Sequence, residues 1–255
     1  MPECTIPLAL TLAGALIART EFIAATYTVV LAPNKSIFSL NHKTTWSINL
    51  PAITCLPTPI CASCCYAALL TKSSRWIKTV RKLLRVYNYF LRAAPEEAAD
   101  CIYLDYMRLP AKRRPPFIRV CGTGDLFLEL VLAINVLVRK HPEIRVWVAT
   151  RRPDMVGLLD RTAANLFILF SLDSSPESRE RMVQVVALDH PRVRFSYLRT
   201  TAKDSIPDCT AVVYNQQDKP TLPTRDRADL CPADAGHIPM ARACGRCQRC
   251  FSEWV

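Results

Sequence analysis

The chain has 255 residues, 50% hydrophobic and 22% charged, which describes a globular protein able to bury a full core rather than a disordered one. Only 6 glycines stand against 19 prolines, so a Gly-rich phosphate loop or dinucleotide fingerprint is absent and many connections should be stiff turns. The formal charge of +11 biases the chain toward polyanions, and 12 clustered cysteines without a convincing export signal argue for metal ligation in a reducing, cytoplasmic compartment.

In chain order, residues 1–40 read as an N-terminal extension. Thr5 to Ala18 is apolar over about the length of a signal-peptide core. Glu3 replaces the usual basic flank and the run is short for a bilayer span, so a buried strand or helix is expected and no membrane association. Phe22 to Leu31, rich in β-branched residues, reads as a strand stopped by Pro33 and Asn34, and Ile37 to Leu40 is a shorter apolar piece.

The alternating run Thr45 to Leu50 reads as a strand that delivers a loop with four thiols, Cys55, Cys61, Cys64 and Cys65. Pro57 and Pro59 stiffen the loop, and the apolar run Tyr66 to Leu70 reads as the start of a helix. Three chemistries compete for these thiols: a disulfide pair, a tetrahedral zinc site, and an iron–sulfur cluster. The cluster is favoured, because Cys55, Cys61 and Cys65 give a C-x5-C-x3-C triplet that leaves one iron of a 4Fe-4S cluster without a protein ligand. Cys64 is then a spare, although spacing alone does not separate it from Cys65.

Beyond the loop, Trp76, Val80, Leu83, Leu84, Tyr87, Phe90 and Leu91 recur at helical spacing, with Lys78, Arg81, Lys82 and Arg85 on the other face. That face is a candidate nucleic-acid surface, and a solvated face over a core stripe is the commoner explanation. A second helix is expected over Pro95 to Met107. From Phe117 the pattern becomes regular: strands at Phe117 to Cys121, Ile144 to Thr150, Asn165 to Leu172, Val193 to Arg199 and Thr210 to Asn215. Helices are expected between them at Leu126 to Lys140, capped by Asp125, at Pro153 to Asp160, and from Ser175 or Pro176 to about Leu188.

Six strands in β-then-α order imply an α/β fold over residues 41–220, a partial (β/α)6 barrel with a mainly parallel sheet. In such a sheet reactive groups lie past the C-terminal strand ends. Those positions are the cysteine loop, Gly122 to Asp125, Thr150 and Arg151, Ser171 and Asp173, Arg199, and Asn215 with Gln216. Residues 221–255 then change character: Cys231, Cys244, Cys247 and Cys250 form a C-x12-C-x2-C-x2-C set with His237 between them. This reads as a cysteine-rich metal knuckle holding zinc or a second 4Fe-4S cluster, with a disulfide pair as the alternative.

Several of these segments resemble one known family. Thr54-Cys55 through Cys61 and Cys65-Tyr66-Ala67, Arg119 to Asp125, Val146 to Arg151, and Cys244-Gly245 through Cys247 and Cys250-Phe251 resemble the phage family catalogued as gene product 88. The layout is also similar to radical S-adenosylmethionine proteins, which carry a three-cysteine 4Fe-4S loop after the first strand of a partial barrel. The loop spacing here is longer than their C-x3-C-x2-C, and Gly122-Thr123-Gly124-Asp125 stands where they carry Gly-Gly-Glu.

The resemblance implies a 4Fe-4S cluster on Cys55, Cys61 and Cys65 and an S-adenosylmethionine cofactor. Gly122, Gly124 and Asp125 would face its methionine moiety, and Thr150, Ser171 and Asp173 would complete its site. It also implies an electron donor, and the host cytoplasm as the compartment if the chain is phage-encoded. The positive charge points to a nucleic-acid or nucleotide substrate. The rival reading is a non-catalytic, zinc-stabilised nucleic-acid-binding protein.

Overall fold

A computed structural model describes residues 35–41, 44–65, 67, 76–201, 203–215, 231–232, 243–247 and 250. The expectations for Thr5 to Ala18, Phe22 to Leu31, Gln216 and His237 lie outside these residues, as does most of Tyr66 to Leu70.

The described strands are β1 (Phe38–Asn41), β2 (Thr45–Ile48), β3 (Phe117–Val120), β4 (Arg145–Thr150), β5 (Leu166–Leu172), β6 (Val193–Arg199) and β7 (Thr210–Asn215). They form one seven-stranded sheet in sequential order, β1 to β7. β1 and β2 pair antiparallel as an edge hairpin, and β2 through β7 run parallel, as the β-then-α order implied. The two edges, β1 and β7, do not pair with each other, so the sheet is open.

The helices are α1 (Pro59–Ser63), α2 (Trp76–Phe90), α3 (Pro95–Arg108), α4 (Leu128–Lys140), α5 (Pro153–Val156), α6 (Pro176–Ala187) and α7 (Ala243–Cys247). Because a strand sends alternate side chains to opposite faces, the central strands can be sorted by residue parity. Ile118, Val120, Val146, Val148, Leu166, Ile168 and Phe170 join the main core with Ile102 of α3, Leu130, Ile134 and Leu137 of α4, and Val185 of α6. The opposite parity, Phe117, Trp147, Phe167 and Leu169, makes a second apolar cluster against which Tyr214, Cys244 and Cys250 pack. Helices of the β2–β6 region thus cover one face of the sheet, and the tail cysteines lie on the other.

Three helix boundaries differ from expectation for local reasons. Asp125 does not cap α4: Leu126 and Phe127 are buried in extended approach, and the helix begins at Leu128 with Phe127 at its N-cap. α5 stops at Val156, because the turn beyond it is taken over by Asp160, whose carboxylate accepts from the Thr162 and Ala163 amides. A helical turn also lies within the cysteine loop. Thr58 caps α1 by accepting from the Cys61 amide at 3.1 Å, and Pro59 occupies its first position.

Among the described residues, no helix is long and apolar enough to cross a membrane. Of the basic face of α2, only Lys78 is exposed; Arg81, Lys82 and Arg85 are half-buried, and the Lys82 ammonium donates to the Phe38 carbonyl at 2.6 Å.

Candidate functional site

The cysteine loop leaves β2 and crosses the C-terminal ends of β3, β4 and β5, to which it is tied by buried polar groups. At its start, the Leu50 amide donates to the Thr123 carbonyl (2.9 Å), the Gly122 amide to the Ile48 carbonyl (3.2 Å), and the Thr123 hydroxyl to the Leu50 carbonyl (3.1 Å). The turn after β3 fits this closely. A Cβ on Gly122 would stand 2.2 Å from the Asn49 side chain, and Gly124 has φ +72° with its missing Cβ directed 2.8 Å from the Leu50 backbone. Both glycines therefore have a packing reason at β2, and Cys121 just before them is held at φ +58°, sparsely populated for a side-chain-bearing residue.

Two buried carboxylates then fix the loop. The Asp125 amide donates to the Thr54 hydroxyl (2.8 Å), while its carboxylate accepts from the Thr150 hydroxyl (2.5 Å) and the Leu126 (2.8 Å) and Arg151 (3.1 Å) amides. Asp173 accepts from the Thr58 hydroxyl (2.5 Å), the Arg151 guanidinium (2.6 Å) and the Ser175 hydroxyl (2.6 Å). Thr58 and Asp173 are 115 residues apart in sequence. Burial raises the Asp125 carboxyl above the ordinary range despite its hydrogen bonds. Burial would also raise Asp173, but Arg151, Ser175 and Thr58 together hold it below. The Arg151–Asp173 pair is buried on both sides, the side chains being 13% and 0% exposed.

Within this frame lie the thiols of Cys55, Cys61, Cys64 and Cys65, each partly buried. Burial pushes the Cys55 thiol well up, reinforced by the charges of Asp125, Cys61 and Cys65 and opposed by Arg151. Burial also raises Cys61, with Arg151 opposing and Cys65 adding. Cys64 differs: its thiol donates to the Ile60 carbonyl at 3.0 Å, closing the end of α1, and burial and Cys61 push it up to about 11. Buried Cys121 senses Asp125 and Cys55.

The remaining strand-end residues do other work. Ser171 lies on the tail-side face and accepts from the Ser196 hydroxyl at 3.2 Å, and Arg199 donates to the Thr201 carbonyl at 3.2 Å. Asn215 ends β7. Beside Asp173 a cavity of about 410 Å³ is lined by Leu172, Ser174, Met182, Tyr197 and Lys203 among others.

Of the tail cysteines, Cys244 and Cys250 pack against the second apolar cluster. Cys250 and the Tyr214 hydroxyl lie 3.2 Å apart. Burial pushes Cys250 up to about 12, countered by Tyr214 and reinforced by Cys244, Cys231 and Cys247. Cys250 thus senses the charges of the other three tail cysteines. Among the described residues, no three Cys, His, Asp or Glu side chains converge as ligands of a single metal ion.

Seven strands, mostly parallel, with helices between them and a cysteine-bearing loop across their C-terminal ends define an α/β protein. The chain belongs to the gene product 88 family, whose model matches residues 22–253. No curated protein and no solved structure matches it significantly.

Thr58 and Thr54 escaped the sequence reading. The Thr58-Pro59 pair carried a recognisable N-cap signature; Thr54 carried none.

Proposed function

We propose that the chain is an iron–sulfur protein resembling radical S-adenosylmethionine enzymes, its open sheet serving as a partial (β/α)6 barrel. The observation that carries this reading is the four-thiol loop itself, braced by buried polar groups across the C-terminal ends of the parallel strands.

Cys55, Cys61 and Cys65 would hold the 4Fe-4S cluster. When bound, the cluster supplies one-electron chemistry and S-adenosylmethionine a cleavable sulfonium. Arg151 places a fixed, fully compensated cation beside the thiols. Asp173 and Thr58 hold Cys61 in place through the cap of α1. The cavity beside Asp173 is of a size for a nucleoside-bearing ligand, with Tyr197 and Met182 offering flat and apolar contact. Gly122, Gly124 and Asp125 would border the methionine end, and Thr150 and Ser171 act from the strand ends. Cys231, Cys244, Cys247 and Cys250 would hold a second cluster or zinc against the sheet.

The test is anaerobic purification with iron and zinc analysis. Brown protein with a broad visible absorption that dithionite bleaches supports the reading. Colourless protein holding stoichiometric zinc at both cysteine sets sinks it.

A second reading, nucleic-acid binding, is favoured by one observation. Arg108, Lys112 and Arg113 are exposed together on the turn before β3. Arg114 stiffens that turn, its guanidinium bonded to the Met107 and Leu109 carbonyls and lying 5.5 Å from the Tyr106 ring centroid.

A further inference from the structure

The tail-side face of the sheet carries a cation that the cysteine chemistry does not use. Arg119 lies on β3 in register with Trp147 of β4, which in turn pairs with Phe167 of β5. Its guanidinium carbon is 4.8 Å from the centroid of the Trp147 ring. It is half-buried, and its Nε is out of contact with solvent with no hydrogen-bond acceptor.

A desolvated guanidinium normally takes a carboxylate, as Arg151 takes Asp173 on the neighbouring strand. Stacking on an indole uses the face of the guanidinium, leaving its in-plane N–H edge to donate. Phe117, Phe167 and Leu169 make the rest of this face beside Arg119 apolar, while Ser47 on β2 is level with it and Ala149, Ser171 and Ser196 lie on the same face toward the strand ends. The cysteine loop leaves β2 and crosses the C-terminal end of β3, the end toward which this face runs from Arg119.

We propose that Arg119, backed by Trp147, is the anion-binding residue of a small-molecule site on this face, and that it takes the oxyanion end, phosphate or carboxylate, of the substrate. The planar fork matches both groups bidentately. This assignment stands independently of whether the cysteine loop carries iron.

Because Arg119 lies against Trp147, tryptophan emission of the full chain reports occupancy. The protein is titrated with inorganic phosphate, adenosine monophosphate and succinate, each against sodium chloride at matched ionic strength. At least one oxyanion is expected to give a saturable change that disappears in Trp147→Phe; a response by phosphate and the nucleotide alone identifies a phosphorylated substrate, and one by succinate a carboxylate. Arg119→Gln is expected to weaken binding about tenfold or more, since a charge-assisted bond is worth roughly 1.5–3 kcal/mol. Lys35→Gln on the exposed surface is expected to leave it unchanged. If Arg119→Gln does not fold, Arg119→Lys decides, because it keeps the charge and loses the fork, and binding again drops about tenfold. No saturable response from any of the three probes, or parent-like affinity in the folded Arg119 variant, overturns the assignment.

Discussion

The two cysteine regions are built in opposite ways. The Cys55–Cys65 loop is braced by charged and hydroxyl groups from three strands, Thr54 to Asp125 on one side and Thr58 to Asp173 and Arg151 on the other. Cys244 and Cys250 of the tail pack on an apolar surface of Phe117, Trp147, Phe167 and Leu169, and its polar ties include the Tyr214–Cys250 contact and the Cys231 amide donating to the Val213 carbonyl at 2.9 Å. A polar brace fixes direction and distance, whereas an apolar bed fixes little beyond proximity. The loop is therefore shaped by the protein before any ligand arrives, and the tail depends more on what its own thiols hold.

The largest effect should come from breaking the brace. Asp173→Ala leaves Arg151 buried without its carboxylate and is expected to cost about 3–5 kcal/mol in urea unfolding. Thr58→Ala, which removes one hydroxyl from the same carboxylate, should cost about 1 kcal/mol and speed amide exchange in residues 58–64 more than elsewhere. Equal, small losses for both variants would remove the distinction between brace and bed.

The brace also has a pH signature. Asp173 is held below its ordinary value of 3.8, so the stability it lends is fully present above that pH and is lost as pH falls toward its depressed value. Asp125 has the opposite sign: its raised carboxyl binds a proton more readily in the folded chain, so its ionisation subtracts stability as pH rises above 3.8. In acid titrations of unfolding, the difference between the parent and Asp173→Asn should shrink below pH 3.8. A difference that stays constant there would contradict the charge-based role.

On the tail side, Tyr214→Phe should cost only about 0.5–1.5 kcal/mol, measured by urea unfolding. A loss as large as that of Asp173→Ala would show that the tail is braced after all. The smallest stability effect, near zero, is expected for the triple change of Arg108, Lys112 and Arg113 to Gln. If that turn contacts nucleic acid, the same variant lowers the salt dependence of binding by about three phosphate contacts. An unchanged slope would return these residues to a solvated surface.

Much of this architecture was written in local pattern. The β-branched strands and the Pro95 and Pro176 helix starts follow from periodicity and spacing, which the parallel register, the helix bounds and the two faces of β5 bear out. The brace was illegible because its partners are far apart in the chain: Thr58 and Asp173 meet only after three crossovers have been laid down. Asp125 read as a helix cap because cap and strand-end ligand use the same residue type, and only the buried, extended Leu126 and Phe127 separate the two. Arg119 gave no signal at all, since a basic residue in a strand usually faces water, and its place over Trp147 depends on a register between strands.

The central claim, that the braced loop is a metal site made by Cys55, Cys61 and Cys65 and distinct from the tail, is tested most directly by iron and zinc content in single cysteine variants. Cys55→Ala, Cys61→Ala and Cys65→Ala are each expected to empty the loop site while leaving the tail's metal in place, and Cys64→Ala, whose thiol is already bonded to the Ile60 carbonyl, should retain both. Loss of the loop metal in Cys64→Ala but not in Cys65→Ala, or loss of all metal from any one loop variant, would contradict it.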